Sequence, residues 1–75
     1  MTIETYEAAV KRLKDLREKH LIPVTDMANY LGVSRQAIYN FEKLESNSYK
    51  LLLGYLTHPA FSAEEVGEIY NILGG

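Results

Sequence analysis

One run constrains the fold of this chain more than any other: Thr25-Asp26-Met27-Ala28-Asn29-Tyr30-Leu31-Gly32-Val33-Ser34-Arg35-Gln36-Ala37-Ile38-Tyr39-Asn40-Phe41-Glu42. It reads as two short helices broken at Gly32, where a helix exits through a left-handed torsion that a side chain adopts only at a cost of about 1 kcal/mol. Thr25 is expected to cap the first helix, which runs to Tyr30 or Leu31, with Asp26 adding favourable charge in its first turn. Ser34 is expected to cap the second. Met27, Ala28, Leu31, Val33, Ile38 and Phe41 then face a common core, while Arg35, Gln36, Tyr39, Asn40 and Lys43 fall away from the Ile38-Phe41 face. Two short helices joined in this way, over about residues 25–42, make a helix-turn-helix.

The flanks complete an all-α fold, a compact bundle of four to five helices forming one domain over residues 1–75. A first helix is expected from about Glu4 to Lys19, with Tyr6, Val10 (or Ala9), Leu13 and Leu16 as its apolar stripe and Lys11, Arg12, Lys14, Asp15 and Glu18 on the wetter side. Pro23 stops it, because proline lacks a donor and constrains Ile22. Tyr49, Leu51, Leu52, Leu53, Tyr55 and Leu56 form a dense apolar run, read as a fourth helix across the helix-turn-helix. After the His58-Pro59 break, Ser62 and Glu65 have the spacing of a capping box, opening a last helix that Gly74-Gly75 ends. Its stripe of Val66, Ile69, Tyr70, Ile72 and Leu73 is rich for so small a bundle. It either closes the core or forms a protein interface, and a homodimer would cover it.

What the chain lacks excludes several chemistries. It has no cysteine, hence no disulfide or thiolate ligand, which suits a reducing cytoplasm, and its two histidines, 38 positions apart, show no ligand pattern. No metal, cofactor or small-molecule substrate is expected. Gly32 and Gly54 are isolated, so no phosphate-cradling loop is present, and Glu64-Glu65 reads as favourable first-turn charge instead of a catalytic pair. No catalytic residue is assigned. No apolar run approaches the roughly 18 residues of a membrane span, and no signal-peptide pattern opens the chain.

Arginine and glutamine fork well onto guanine and adenine edges in the major groove, and asparagine is the shorter counterpart of glutamine. The outward face of the second short helix therefore suits double-stranded DNA, with Ser34, Arg35, Gln36, Tyr39, Asn40 and Lys43 as the contact set. Net charge is −2, yet the first fifty residues hold all eight Lys and Arg against seven acids, whereas the last twenty-five hold Glu64, Glu65 and Glu68 alone. Such a dipolar chain can present its basic end to phosphate.

Residues 13–42, from Leu13-Lys14-Asp15-Leu16-Arg17 through Leu31-Gly32-Val33-Ser34-Arg35-Gln36-Ala37-Ile38-Tyr39-Asn40-Phe41-Glu42, resemble without a gap the Cro/C1-type (XRE-like) repressor helix-turn-helix family. The resemblance implies a lambda-repressor-like bundle, a small transcription regulator of a temperate phage or its bacterial host in the host cytoplasm, and usually a dimer on a two-fold operator. It also implies that a structural ion pair falls on Arg17 and Glu42, and that base contacts fall on Ser34, Arg35, Gln36 and Asn40. Three positions depart from the family pattern: Val24 stands where a glutamine is usual, Pro23 where a capping serine is, and Lys43-Leu44-Glu45-Ser46-Asn47 where an Asn-Gly pair is common. Val24, Glu45 and the acidic tail give the alternative expectation of an antirepressor or modulator that binds a partner repressor protein.

Overall fold

A computed structural model describes residues 2–74 as five helices: α1 (Ile3–Lys19), α2 (Val24–Leu31), α3 (Arg35–Glu42), α4 (Tyr49–Leu56) and α5 (Ala63–Gly74). The all-α bundle read from the sequence holds at five helices. Of the expected closing pair, Gly74 is still in α5 and Gly75 lies outside the described residues.

The α1 start meets expectation to within one residue, and the α2 start does not. α1 opens at Ile3 because Thr2 and Thr5 cap each other: the Thr5 amide donates to Thr2 Oγ1 at 3.1 Å and the Thr2 amide to Thr5 Oγ1 at 2.9 Å. Thr25 does not cap α2. Pro23 occupies the cap position with φ −63° and ψ 155°, no side chain caps the helix there, and the Pro23 carbonyl accepts the Met27 amide at 3.1 Å. A proline is well placed at a helix start, since the amide it lacks would have had no intrahelical partner.

The first three helices end in one motif. The Ile22, Val33 and Glu45 amides reach back five residues to the carbonyls of Arg17, Ala28 and Asn40 at 3.0, 3.0 and 2.9 Å, closing Schellman turns. Each needs one left-handed residue, and these are Leu21 (φ 56°), Gly32 (φ 70°) and Leu44 (φ 62°). Leu44 packs on the core, whereas Leu21 is 86% exposed and recovers none of the torsional cost by burial.

The Phe41 and Tyr55 rings meet in a tilted contact, centroids 5.0 Å apart, with Val10, Leu13, Leu16, Met27, Ile38, Leu52 and Ile69 fully buried around the same core. α5 packs chiefly along α1. Ile69 and Leu73 are buried, Val66 and Ile72 are half-buried against the core, and Tyr70 is exposed. The C-terminal stripe is therefore taken up by the chain's own core, and only Tyr70 of the five stands out in solvent. The fourth-helix run likewise divides: Leu51, Leu52, Tyr55 and Leu56 are buried, Tyr49 and Leu53 exposed.

Candidate nucleic-acid interface

The turn before α3 aims its outer face. Gly32 closes α2 and Ser34 (φ −76°, ψ 158°) caps α3, its Oγ accepting the Ala37 amide at 3.1 Å and leaving the hydroxyl proton free to donate. Ile38 and Phe41 are fully buried. By helical period this turns Arg35, Gln36 and Tyr39 into solvent, with Asn40 half-buried beside them and Lys43 exposed at the C-cap. Gln36 Nε2 donates to Asn40 Oδ1 at 2.9 Å, and Lys43 Nζ lies 5.8 Å over the Tyr39 ring. Four kinds of side chain thus share one face: a guanidinium, two linked amides, a phenol and an ammonium. The first turn of α3 carries no acidic residue, so nothing there offsets the positive end of its dipole.

Behind this face α3 is anchored through a buried charge. Arg17 Nε and Nη2 donate to the two oxygens of Glu42 at 2.7 and 2.9 Å, and Arg17 Nη1 donates to the Ile22 carbonyl at 2.8 Å. The Tyr55 hydroxyl donates to Glu42 Oε2 at 2.6 Å. A carboxylate in the last turn of a helix opposes the dipole. Here the fork of α1 and the phenol of α4 hold it, so one acidic side chain ties three helices together. The Glu42 hydrogen bond raises the Arg17 pKa still further, and burial first, then the bond to Glu42, drives the Tyr55 pKa far up. Nothing periodic in the sequence marks Tyr55 as a third partner.

The tail acids are largely engaged within the chain. Glu65 accepts the Ser62 amide at 2.8 Å while Ser62 Oγ accepts the Glu65 amide at 3.1 Å, which is the capping box of α5. The same carboxylate meets Lys19 Nζ at 3.0 Å and His20 Nε2 at 2.9 Å, and Glu68 pairs with Arg12. The Ser62 amide, then Lys19 and His20, hold the Glu65 carboxyl down to about 2. Arg12 and Lys19 are thereby matched to α5, whereas Arg35 and Lys43 remain on the α3 face.

The second clamp missed in the sequence is Tyr30. Its hydroxyl donates to the Thr57 carbonyl at 2.9 Å and its ring meets that of His58 with centroids 4.7 Å apart at a tilt of 58°, fastening α2 to the end of α4. Phe61 lies between the two histidines, 5.6 Å from each ring. Among the described residues, no group of three His, Cys, Asp or Glu is placed to hold a metal ion, and no helix is long and apolar enough to cross a membrane.

Over 36 residues, 48% of the chain, the sequence is 56% identical to a protein of Pyrococcus abyssi (strain GE5 / Orsay) named as an HTH-type transcriptional regulatory protein, and 47% identical to a protein of the same description from Pyrococcus horikoshii. The chain is homologous over this stretch to these archaeal proteins. It spans only 11% of the length of either relative. Neither a protein-family model nor a solved structure gives a significant match.

Proposed function

We propose that this chain is a sequence-specific DNA-binding module of a transcriptional regulator, a single helix-turn-helix domain that inserts α3 into the major groove. The observation that carries the reading is the division of α3: Ile38, Phe41 and Glu42 are locked into the core, and Arg35, Gln36, Tyr39, Asn40 and Lys43 are turned out together. Arg35, Gln36 and Asn40 serve as base readers with Ser34 beside them at the helix start, Lys43 as a phosphate contact, and Tyr39 as an apolar surface for a thymine methyl. The description of the archaeal relatives as HTH-type regulators supports the class of function. The reading requires neither a phage setting nor a homodimer, since the C-terminal stripe already has an internal partner.

The alternative of an acidic surface offered to a partner repressor is weakened, because Glu65 and Glu68 are occupied by α1. Selection of the chain against random duplexes decides between the two. Enrichment of a defined sequence is expected, Arg35→Ala should lose about 1–3 kcal/mol at one base pair, and Lys43→Ala should weaken all duplexes alike and lower the salt slope by about 1. Absence of any enriched sequence, or a uniform loss in R35A, would overturn the proposal.

A further inference from the structure

We infer that Asn40 is a positioning residue for Gln36, so that the two amides meet DNA as one unit with divided base preferences; the inference rests on the DNA-binding reading above. Gln36 Nε2 donates to Asn40 Oδ1 at 2.9 Å across one turn of α3. Residues four apart lie one above the other on a helix, and both members of this pair are on the face turned from Ile38 and Phe41. Among the described residues, Asn40 is the side chain hydrogen-bonded to Gln36. A long surface side chain loses rotamer freedom when it docks. A partner that fixes it beforehand removes that loss, a factor of roughly 2 to 12 in affinity.

The bond also assigns the remaining donors and acceptors. A carboxamide has two N–H donors and one oxygen with two accepting lone pairs. Gln36 gives one N–H to Asn40 and keeps the other together with Oε1, the combination that meets N7 and N6 of adenine. Asn40 has one of the two lone pairs of its oxygen engaged and keeps its whole NH2 group, which favours an accepting edge: O6 or N7 of guanine, or O4 of thymine. A free asparagine would fork onto adenine as glutamine does. Asn40 in this pair reads a base acceptor instead, and it holds Gln36 to adenine one step away.

The test scores random-duplex binding base pair by base pair for the full chain and for Q36A, N40A, N40D and Q36A/N40A. Wild type is expected to prefer adenine at the base pair that Q36A makes indifferent. N40A should weaken that adenine preference roughly 2- to 12-fold while also losing its own acceptor-base preference, and should add nothing at the first position when Q36A is already present. N40D keeps the accepting oxygen, so it should weaken every duplex through its charge yet retain the adenine preference. An adenine preference unchanged in N40A overturns the positioning role, and adenine at the base pair of Asn40 itself overturns the division. Should wild type enrich no duplex, the DNA reading fails and the base assignments fall with it. Nitrogen relaxation of the Gln36 side-chain amide in the free protein then judges the brace alone: restricted motion in wild type and freer motion in N40A supports it, equal motion overturns it.

Discussion

Leu31 of α2 lies against the backbone of Gly54 in α4, so closely that a Cβ built on Gly54 would fall 2.6 Å from Leu31 Cδ2. Two helices approach here through a missing side chain, and the helix-turn-helix rests on α4 at that point. Gly54 therefore sits mid-helix against its propensity, with a packing reason.

Substitutions at Gly54 should separate these two effects. Gly54→Ala gains about 0.5–1 kcal/mol of helix propensity and loses part of it by displacing the flexible end of Leu31, so its stability should stay within about 1 kcal/mol of wild type. Gly54→Val brings branching that Leu31 cannot evade and should cost about 1–3 kcal/mol in urea unfolding. A Gly54→Val protein as stable as wild type would mean that α2 and α4 can separate freely.

The buried pair of Arg17 and Glu42 should be costly to break from either side. Arg17→Ala leaves Glu42, 4% exposed, facing the core with the Tyr55 hydroxyl as its remaining partner, and is expected to lose about 3–5 kcal/mol, enough to unfold a domain of this size. Tyr55→Phe keeps both Arg17 bonds and should lose about 1.5–3 kcal/mol. Circular dichroism of the three proteins in a urea series checks the order; R17A no worse than Y55F would refute the argument.

Leu21→Gly should stabilise the fold by about 0.5–1 kcal/mol, since a left-handed leucine exposed to solvent gives nothing back for its torsional cost. Leu44→Gly, at the equivalent place after α3, gives up core contact and should be neutral or destabilising. Thermal midpoints of the two variants moving in the same direction would show that burial does not separate them.

Acid should act through Glu65. Its carboxyl is held down to about 2 by the Ser62 amide, Lys19 and His20, so the stability it contributes is fully present above the ordinary carboxylate range and is lost as the pH falls through it toward 2. Ser62→Ala should cost about 0.5–2 kcal/mol at neutral pH by removing the cap of α5. Glu65→Gln can keep that cap and lose the charge, so its unfolding midpoint should vary less between pH 5 and pH 2 than that of wild type. Equal acid slopes in the two would assign the dependence to other carboxylates.

The parts of the fold legible in the sequence were those written in neighbouring residues. The Gly32 turn, the Ser34 cap, the Ser62-Glu65 box and the inward placement of Ile38 and Phe41 all depend on spacings of at most four. Thr25 misled because proline itself can serve at a helix start, where its carbonyl does the work and its side chain does none. The C-terminal stripe stays open in the sequence between core and interface because periodicity gives the width of an apolar face and says nothing of which helix will meet it. Long-range polar pairs left no trace of this kind: His20 and Glu65 are 45 residues apart, Tyr30 and Thr57 27, Tyr55 and Glu42 13. Arg17 and Glu42 were named together only through a family resemblance. On the candidate interface, outward orientation was legible from the period, whereas the bond from Gln36 to Asn40 depended on rotamers.

The phenol of Tyr55 makes the protein its own alkaline indicator. The chain has six tyrosines and no tryptophan, so its ultraviolet absorbance in base reports tyrosinate formation without interference from indole. Burial, then the donated bond to Glu42, bars Tyr55 from ionising while the core is intact, so the unfolded chain releases this proton at lower pH than the folded one. Stability must therefore decline once the pH passes the ordinary range of a phenol, about 10. Its tyrosinate signal should arrive as a cooperative step coincident with loss of helicity, and in Tyr55→Phe that step should be missing from the absorbance and the helical signal should fall less steeply with pH above about 10 than in wild type.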